Sequence, residues 1–266
     1  MASEYTERQI RQMVVARLDR DSHFFYQQPF LNYQGQTTDT RQPYVEVIAA
    51  ELLQRKDQIK RIGVDVPIRR EKFFNMLHDG APNVDARLKR FGKLTYSEKL
   101  LAIAIFNSGA EFCFGKVFDY QVPLKEHQKD RFGEIDLAAR SGGSIKLLEL
   151  KIDGKGKETL LRALLEVYTY YKLLDGSVKK FITDYDLPAG AYLQPGILTE
   201  RSSLSGQTLS NMDAFPNIGA LVSELNADVG VPIEFFLFDY PSHGFNQDAI
   251  GRILLSGDFS ITRVLS

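Results

Sequence analysis

Asp136, Glu149 and Lys151 are the residues whose types and spacing could do chemistry in this chain. Arg140-Ser141-Gly142-Gly143-Ser144 separates two strand-like runs, and a Gly-Gly pair suits a two-residue hairpin because both central positions need positive φ. With that pair as the turn, Asp136 lies directly opposite Glu149 and Glu134 opposite Lys151; a three-residue loop with a bulge shifts the register by one. Strand alternation puts Glu134, Asp136, Glu149, Lys151 and Asp153 on one face, and Ile135, Leu137, Leu148, Leu150 and Ile152 on the core face. Two carboxylates facing each other across a sheet, roughly 5 Å apart at Cβ, destabilise it unless something compensates them. A divalent cation does so. The expected ligands are Asp136, Glu149 and the backbone carbonyl of Leu150, and the expected ion is Mg²⁺, with Mn²⁺ as a substitute. Phosphodiester hydrolysis needs an activated water, charge neutralisation on the phosphate and stabilisation of the departing oxygen. Lys151 stays protonated beside acidic neighbours, so its expected role is electrostatic and positional. The ordinary alternative is a solvated polar face on which Glu134 and Lys151 form a cross-strand ion pair.

Asp136, twelve intervening residues and then Glu149-Leu150-Lys151 resemble the Asp…(Asp/Glu)-x-Lys signature of the PD-(D/E)xK nuclease superfamily, over about Tyr96 to Leu198. Ile135 stands where that family usually has proline. The resemblance implies a restriction-endonuclease-like αβββαβ core with a mixed sheet, and a metal-dependent nuclease acting on nucleic acid, with DNA the expected substrate. It also implies a glutamate from the helix before the sheet, matched by Glu98 as a further ligand or water-orienting group, with Glu111 in reserve. Thr95-Tyr96-Ser97-Glu98 also reads as a capping box, and the two roles are compatible. RecB-like members carry Gln-x-x-x-Tyr on the helix after the hairpin, and Glu166 to Tyr170 resembles that element with Glu replacing Gln. On the same helix Arg162, Glu166 and Tyr170 form an i, i+4, i+8 line that can border a site, Arg162 holding a phosphate and Glu166 holding Lys151 or Arg162. Lys155, Lys157, Lys179 and Lys180 are candidates for a phosphate-binding rim or for plain solvated surface.

The elements that must position these groups follow from hydrophobic periodicity. Glu4 to Leu18 and Tyr44 to Ile62 read as amphipathic helices, with shorter helical pieces at Glu71 to Leu77 and Val84 to Phe91. After Gly92 a strongly apolar helix, Tyr96 to Ser108, precedes strands at Val117 to Leu124, Glu134 to Arg140 and Ile145 to Ile152. A helix from Glu158 to Leu174, a strand within Ala191 to Leu198, a helix at Ile218 to Leu225 and a strand at Pro232 to Tyr240 complete the order. The expected architecture is α/β, with a helical amino-terminal region over 1–92 and the nuclease-like domain over 93–266. The amino-terminal helices are expected to hold substrate, regulate access or mediate self-association as a homodimer.

Composition narrows the classes without choosing among them. Of 266 residues, 33 are basic and 34 acidic, so nucleic-acid binding has to come from a local basic surface. One cysteine, Cys113, excludes an internal disulfide, and no zinc-ligand spacing can be assembled. No apolar run reaches the roughly 18 residues a membrane span needs, and no secretion signal is evident, so reducing cytoplasm is the expected compartment. Two functions stand at this point: a Mg²⁺-dependent nuclease, or a catalytically inactive nucleic-acid-binding or assembly module that retains the fold.

Overall fold

The structure, a computed structural model, describes residues 4–64, 66, 68–76, 78, 94, 96–127, 129–153, 158–248 and 250–265. Helix α1 (Glu7–Asp21) starts at a capping box, in which Thr6 accepts from the Gln9 backbone and Gln9 returns to the Thr6 backbone. Helices α2 (Tyr44–Gln54) and α3 (Lys56–Ile59) follow, separated at Arg55, whose φ of −114° and ψ of 28° interrupt the single helix expected there. Beyond α4 (Glu98–Ser108) come β1 (Glu111–Phe112), β2 (Gly115–Pro123), β3 (Glu134–Ser141) and β4 (Ser144–Lys151). Next are α5 (Leu160–Asp175), α6 (Val178–Asp184), β5 (Tyr192–Glu200), α7 (Leu204–Ser210), α8 (Pro216–Val229) and β6 (Glu234–Phe238). Three short strands, β7 (Phe245–Gln247), β8 (Ile253–Leu255) and β9 (Ile261–Leu265), end the chain.

One mixed sheet has the order β1-β2-β3-β4-β5-β6-β9, while β7 and β8 pair separately. The first four strands are antiparallel neighbours, β4, β5 and β6 run parallel, and β9 returns antiparallel to β6. Parallel neighbours need long crossovers, which α5 with α6 and α7 with α8 supply. The two edges of the sheet curl toward each other, where the Cys113 thiol donates to the Ile261 carbonyl at 3.5 Å. Strand β4, flanked on both sides and covered on both faces, is buried along its whole length. One apolar cluster joins Ile10 and Val14 of α1 to Leu161 and Leu164 of α5 and to Leu147 and Ile197 of the sheet. A second joins Leu101 and Ile105 of α4 to Leu137, Leu148, Leu150 and Phe236.

The hairpin has the expected register, with Ser141 opposite Ser144 and Leu137 opposite Leu148. Of the two turn glycines only Gly142 has positive φ, 57°, so the turn needs one left-handed position and not two. Strand alternation also fails at one place. Ile135 packs in the first cluster while Leu137 packs in the second, although both were expected on a common face. Between their β2 partners, Val122 and Tyr120, lies Gln121, whose φ is 48°, so backbone irregularity flanks Asp136 on the neighbouring strand.

Elsewhere, Glu71–Met76 is irregular rather than helical; Arg69 there is committed to the Lys125 carbonyl at 3.1 Å and not to a helix surface. The expected helix over Val84–Phe91 and the residues Lys155, Lys157 and Thr95 lie outside the described residues. The segment between α1 and α2 holds two 3₁₀ turns, Ser22–Gln27 and Pro29–Asn32. Helices α6 and α7 have no counterpart in the sequence reading, because each spans only 7 residues and shows too few turns for periodicity to register. Among the described residues no helix is long and apolar enough to cross a membrane.

The hairpin geometry sets a stability test. A Cβ on Gly142 would meet nothing within 4 Å, so Gly142→Ala should cost only the backbone penalty, about 1 kcal/mol. A Cβ on Gly115 would lie 2.2 Å from the Arg140 carbonyl oxygen, so Gly115→Ala should cost more than about 2 kcal/mol by prising β2 from β3. Urea unfolding of both variants measures the difference, and equal losses would contradict this picture of the hairpin.

Candidate active site

Past the pair Leu137–Leu148 the ladder between β3 and β4 stops, one position short of Asp136 and Glu149. Strand β4 continues, held on its other side by β5, where Glu149 is opposite Ile197 and Lys151 opposite Thr199. The β3-facing edge of β4 is therefore left with backbone donors that need partners. Asp136 Oδ2 accepts from the Leu150 N–H at 2.9 Å, and the Ile152 backbone hydrogen-bonds the Glu98 carboxylate. Carboxylates have thus replaced the carbonyls that a continuing β3 would have supplied. Because the N–H and C=O of one strand residue point to the same side, the Leu150 carbonyl faces Asp136 as well.

Glu98 reaches this edge because Ser97 caps α4, its side chain accepting from the Leu100 N–H at 3.3 Å. With Ser97 as the cap, Glu98 is the first residue of the helix and has no part in the capping box expected from Thr95. Glu111, the reserve candidate, is exposed on β1 and does not line the cleft.

A cleft of about 430 Å³ gathers Glu98, Asp136, Glu149, Lys151, Arg162, Glu166 and Tyr170, the catalytic and helix-borne candidates from sequence. Gln121, Lys125, Gly133, Glu134 and Glu158 complete its lining. At its centre Lys151, 5 % exposed, is within 2.6 Å of Glu149 Oε1, 2.7 Å of Glu158 Oε2 and 3.3 Å of Glu166 Oε2. The ion pair between Glu134 and Lys151 that the solvated-face alternative called for is not formed. Glu134 pairs with Pro123 on β2 and reaches Lys125 at 3.4 Å, while Lys151 is turned toward the start of α5. Arg162 Nε lies 3.2 Å from Glu158 Oε1, and Tyr170 donates to Glu166 Oε1 at 2.9 Å. A Cβ on Gly133 would fall 2.2 Å from the Tyr170 hydroxyl, so glycine there leaves room for the ring that holds Glu166. Lys180 is not part of this site, because it is paired with Asp184 at 2.5 Å.

Glu158 has no counterpart in the sequence reading. It precedes the cap residue Thr159 and so falls outside the helical period from which Arg162, Glu166 and Tyr170 were found. Its only sequence signal is its place four residues before Arg162, an ordinary i, i+4 ion-pair spacing.

Among the described residues six carboxylates and three cationic side chains line the cleft, and burial makes that imbalance expensive. Burial pushes the Asp136 carboxyl up to about 7, with Lys151 opposing and Glu98 adding to the shift. Burial likewise raises Glu149 well above the usual carboxylate range, and the charge of Glu166 reinforces it. Burial raises Glu98 too, against the pull of Lys151. For Glu166 burial acts in the same direction, but Lys151 and the Tyr170 hydrogen bond outweigh it and hold the carboxylate ionised. Burial would lower Lys151, yet Glu149, Glu166 and Glu158 together raise it well above the ordinary amine, so it remains an ammonium.

These donors fit a hard divalent cation. Among the described residues no donor reaches the buried Glu149 Oε2, whose neighbour Glu166 is itself a carboxylate, and Glu149 lines the cleft together with Asp136. Among the described residues no set of three carboxylate, imidazole or thiol groups stands ready to ligate a metal, because the ammonium of Lys151 draws Glu149, Glu158 and Glu166 onto itself. Mg²⁺ asks for less, since one or two carboxylates with waters and substrate oxygens complete its shell.

The raised Asp136 carboxyl gives a pH signature in metal-free protein. A folded-state value near 7, against about 4 unfolded, means that the native state binds the extra proton between those limits. Stability therefore falls as pH rises through that window. Asp136→Asn keeps an acceptor for Leu150 and removes the charge, so in chelator at pH 8 it should be more stable than wild type by roughly 2–4 kcal/mol. At pH 4 the gain should vanish, and urea unfolding at the two pH values measures it. A variant less stable than wild type at pH 8 would show that Asp136 carries no such strain. No protein-family model, curated protein or solved structure matches this chain, so its chemistry is read from the site itself.

Proposed function

We propose that this protein is a metal-dependent nuclease of the PD-(D/E)xK type, hydrolysing phosphodiester bonds in nucleic acid, with DNA the favoured substrate. The observation that carries the reading is the buried Glu149 Oε2, which no donor among the described residues reaches, beside Asp136 in a cleft with a surplus of carboxylates. Asp136, Glu149 and the Leu150 carbonyl are the groups that would hold Mg²⁺ or Mn²⁺. When bound, such an ion supplies water activation and neutralises charge on the phosphate.

The protein's own groups do the rest. Lys151 presents a permanent ammonium at the floor of the cleft, where it stabilises negative charge growing on phosphate oxygens. Glu166, fixed by Tyr170, keeps that ammonium from drifting. Glu98, bound to the Ile152 backbone at the cleft edge, is placed to orient a water. Arg162 and Lys125 line the same cleft and supply positive charge for the flanking backbone. The helical fold around α1 and α2 packs behind α5 and so stiffens the element that carries Arg162, Glu166 and Tyr170.

A second reading, a catalytically inactive nucleic-acid-binding or assembly module, draws support from one feature: the Lys151 ammonium already pairs with three carboxylates without any metal ion. Cleavage assays separate the two. Purified protein with Mg²⁺ or Mn²⁺ should cut at least one among single-stranded, duplex and branched DNA, and Asp136→Ala or Lys151→Ala should lower the rate at least about 100-fold with circular dichroism unchanged. If no DNA or RNA in any form is cut under either metal, the inactive reading replaces the nuclease.

A further inference from the structure

Two cations line the cleft beside the proposed metal ligands, and one carboxylate spans both. Glu158 places Oε2 2.7 Å from Lys151 Nζ and Oε1 3.2 Å from Arg162 Nε. A carboxylate bridging an ammonium and a guanidinium by its two oxygens makes the contacts that two oxygens of a phosphodiester would make. We infer that Glu158 is an internal stand-in for a substrate phosphate, which displaces it and takes over Lys151 and Arg162. The inference rests on the nuclease reading for its substrate class and names the subsite that binds the anion.

Lys151 has three carboxylate partners, and Glu158 is the one built to leave. Glu149 sits within a buried strand, and Glu166 lies on a helix with its second oxygen held by Tyr170. Glu158 precedes the helix cap, its side chain is 22 % exposed against 5 % and 11 % for the other two, and it is ion-paired to the two cations. Its backbone is anchored separately, the carbonyl accepting from Ser205 Oγ at 2.7 Å, so the side chain can swing without moving the start of α5. Once Glu158 leaves, Glu149 and Glu166 still hold Lys151 while Arg162 is freed to meet an incoming anion. The same bridge keeps the two cations neutralised in the free protein, which suppresses binding of stray anions.

Metal-free binding tests this without relying on cleavage. Fluorescein-labelled single-stranded and duplex DNA, titrated with full-length protein in chelator at low salt, should bind Glu158→Gln about 10-fold more tightly than wild type. Asp213→Asn, which removes the same charge from an exposed position outside the cleft, should change affinity less than 2-fold. Adding Arg162→Gln to Glu158→Gln should abolish the gain. Thermal unfolding checks that each variant is folded, and Glu158→Ala, which frees the cations equally, should reproduce the tighter binding if the Gln variant does not fold. A gain no larger than that of Asp213→Asn, a gain that survives loss of Arg162, or no DNA binding by any variant would overturn the inference. Tighter binding by Glu158→Gln in a protein that never cuts nucleic acid would sink the nuclease reading and leave the anion subsite standing. Cleavage by wild type with no gain in the variant would do the reverse.

Discussion

One buried ammonium organises this molecule's cleft. Lys151 sits inside a shell of carboxylates contributed by β4, by Glu158 just before the cap of α5 and by α5 itself. A single positive charge cannot neutralise that shell. Burial and the neighbouring carboxylates therefore push the Asp136 and Glu149 carboxyls upward in the metal-free protein. Such crowding costs stability, and under the proposed function a divalent ion would relieve it.

The sheet creates this situation by stopping early. If β3 stayed paired with β4 as far as Ile135 and Leu150, the Leu150 N–H would be spent on a backbone carbonyl and Asp136 would have no reason to turn inward. Ending the ladder at Leu137–Leu148 exposes an edge of β4 within the fold, and Asp136 and Glu98 are drawn to its donors. The left-handed φ of Gln121 on β2, opposite that break, shows that the neighbouring strand bends there too. Meanwhile β5 keeps β4 rigid by parallel pairing through Lys151, so the loosened edge does not loosen the lysine or the glutamate.

Much of this was legible in the sequence because it is local. A Gly-Gly turn between two apolar runs fixes a register, and a 3.6-residue period puts Arg162, Glu166 and Tyr170 in one line. The order of the longer elements, α1, α2, α4, β2 to β4, α5, β5, α8 and β6, follows from the same periodicities. What stayed hidden depends on tertiary choices. Ile135 leaves the face of Leu137 because the ladder ends, an event that no alternation pattern records. Lys151 pairs with Glu149 on its own strand and with Glu158 and Glu166 from the α5 segment instead of Glu134, and cross-strand proximity alone could not rank those partners. Glu158 belongs to no period, and Ser97 took the capping position that would have kept Glu98 occupied. Short elements such as α6, α7 and the terminal strands carry too few residues for a repeat to show.

The account stands or falls on whether the carboxylate shell takes a divalent cation in exchange for protons. Calorimetric titration of Mn²⁺ into metal-free protein at pH 7, in two buffers of different ionisation enthalpy, reports both binding and the number of protons released. Binding at one site, with net proton release that shrinks when Asp136 is replaced by Asn, is the predicted result. Absence of binding, or binding that releases no protons and is indifferent to Asp136 and Glu149, would contradict it.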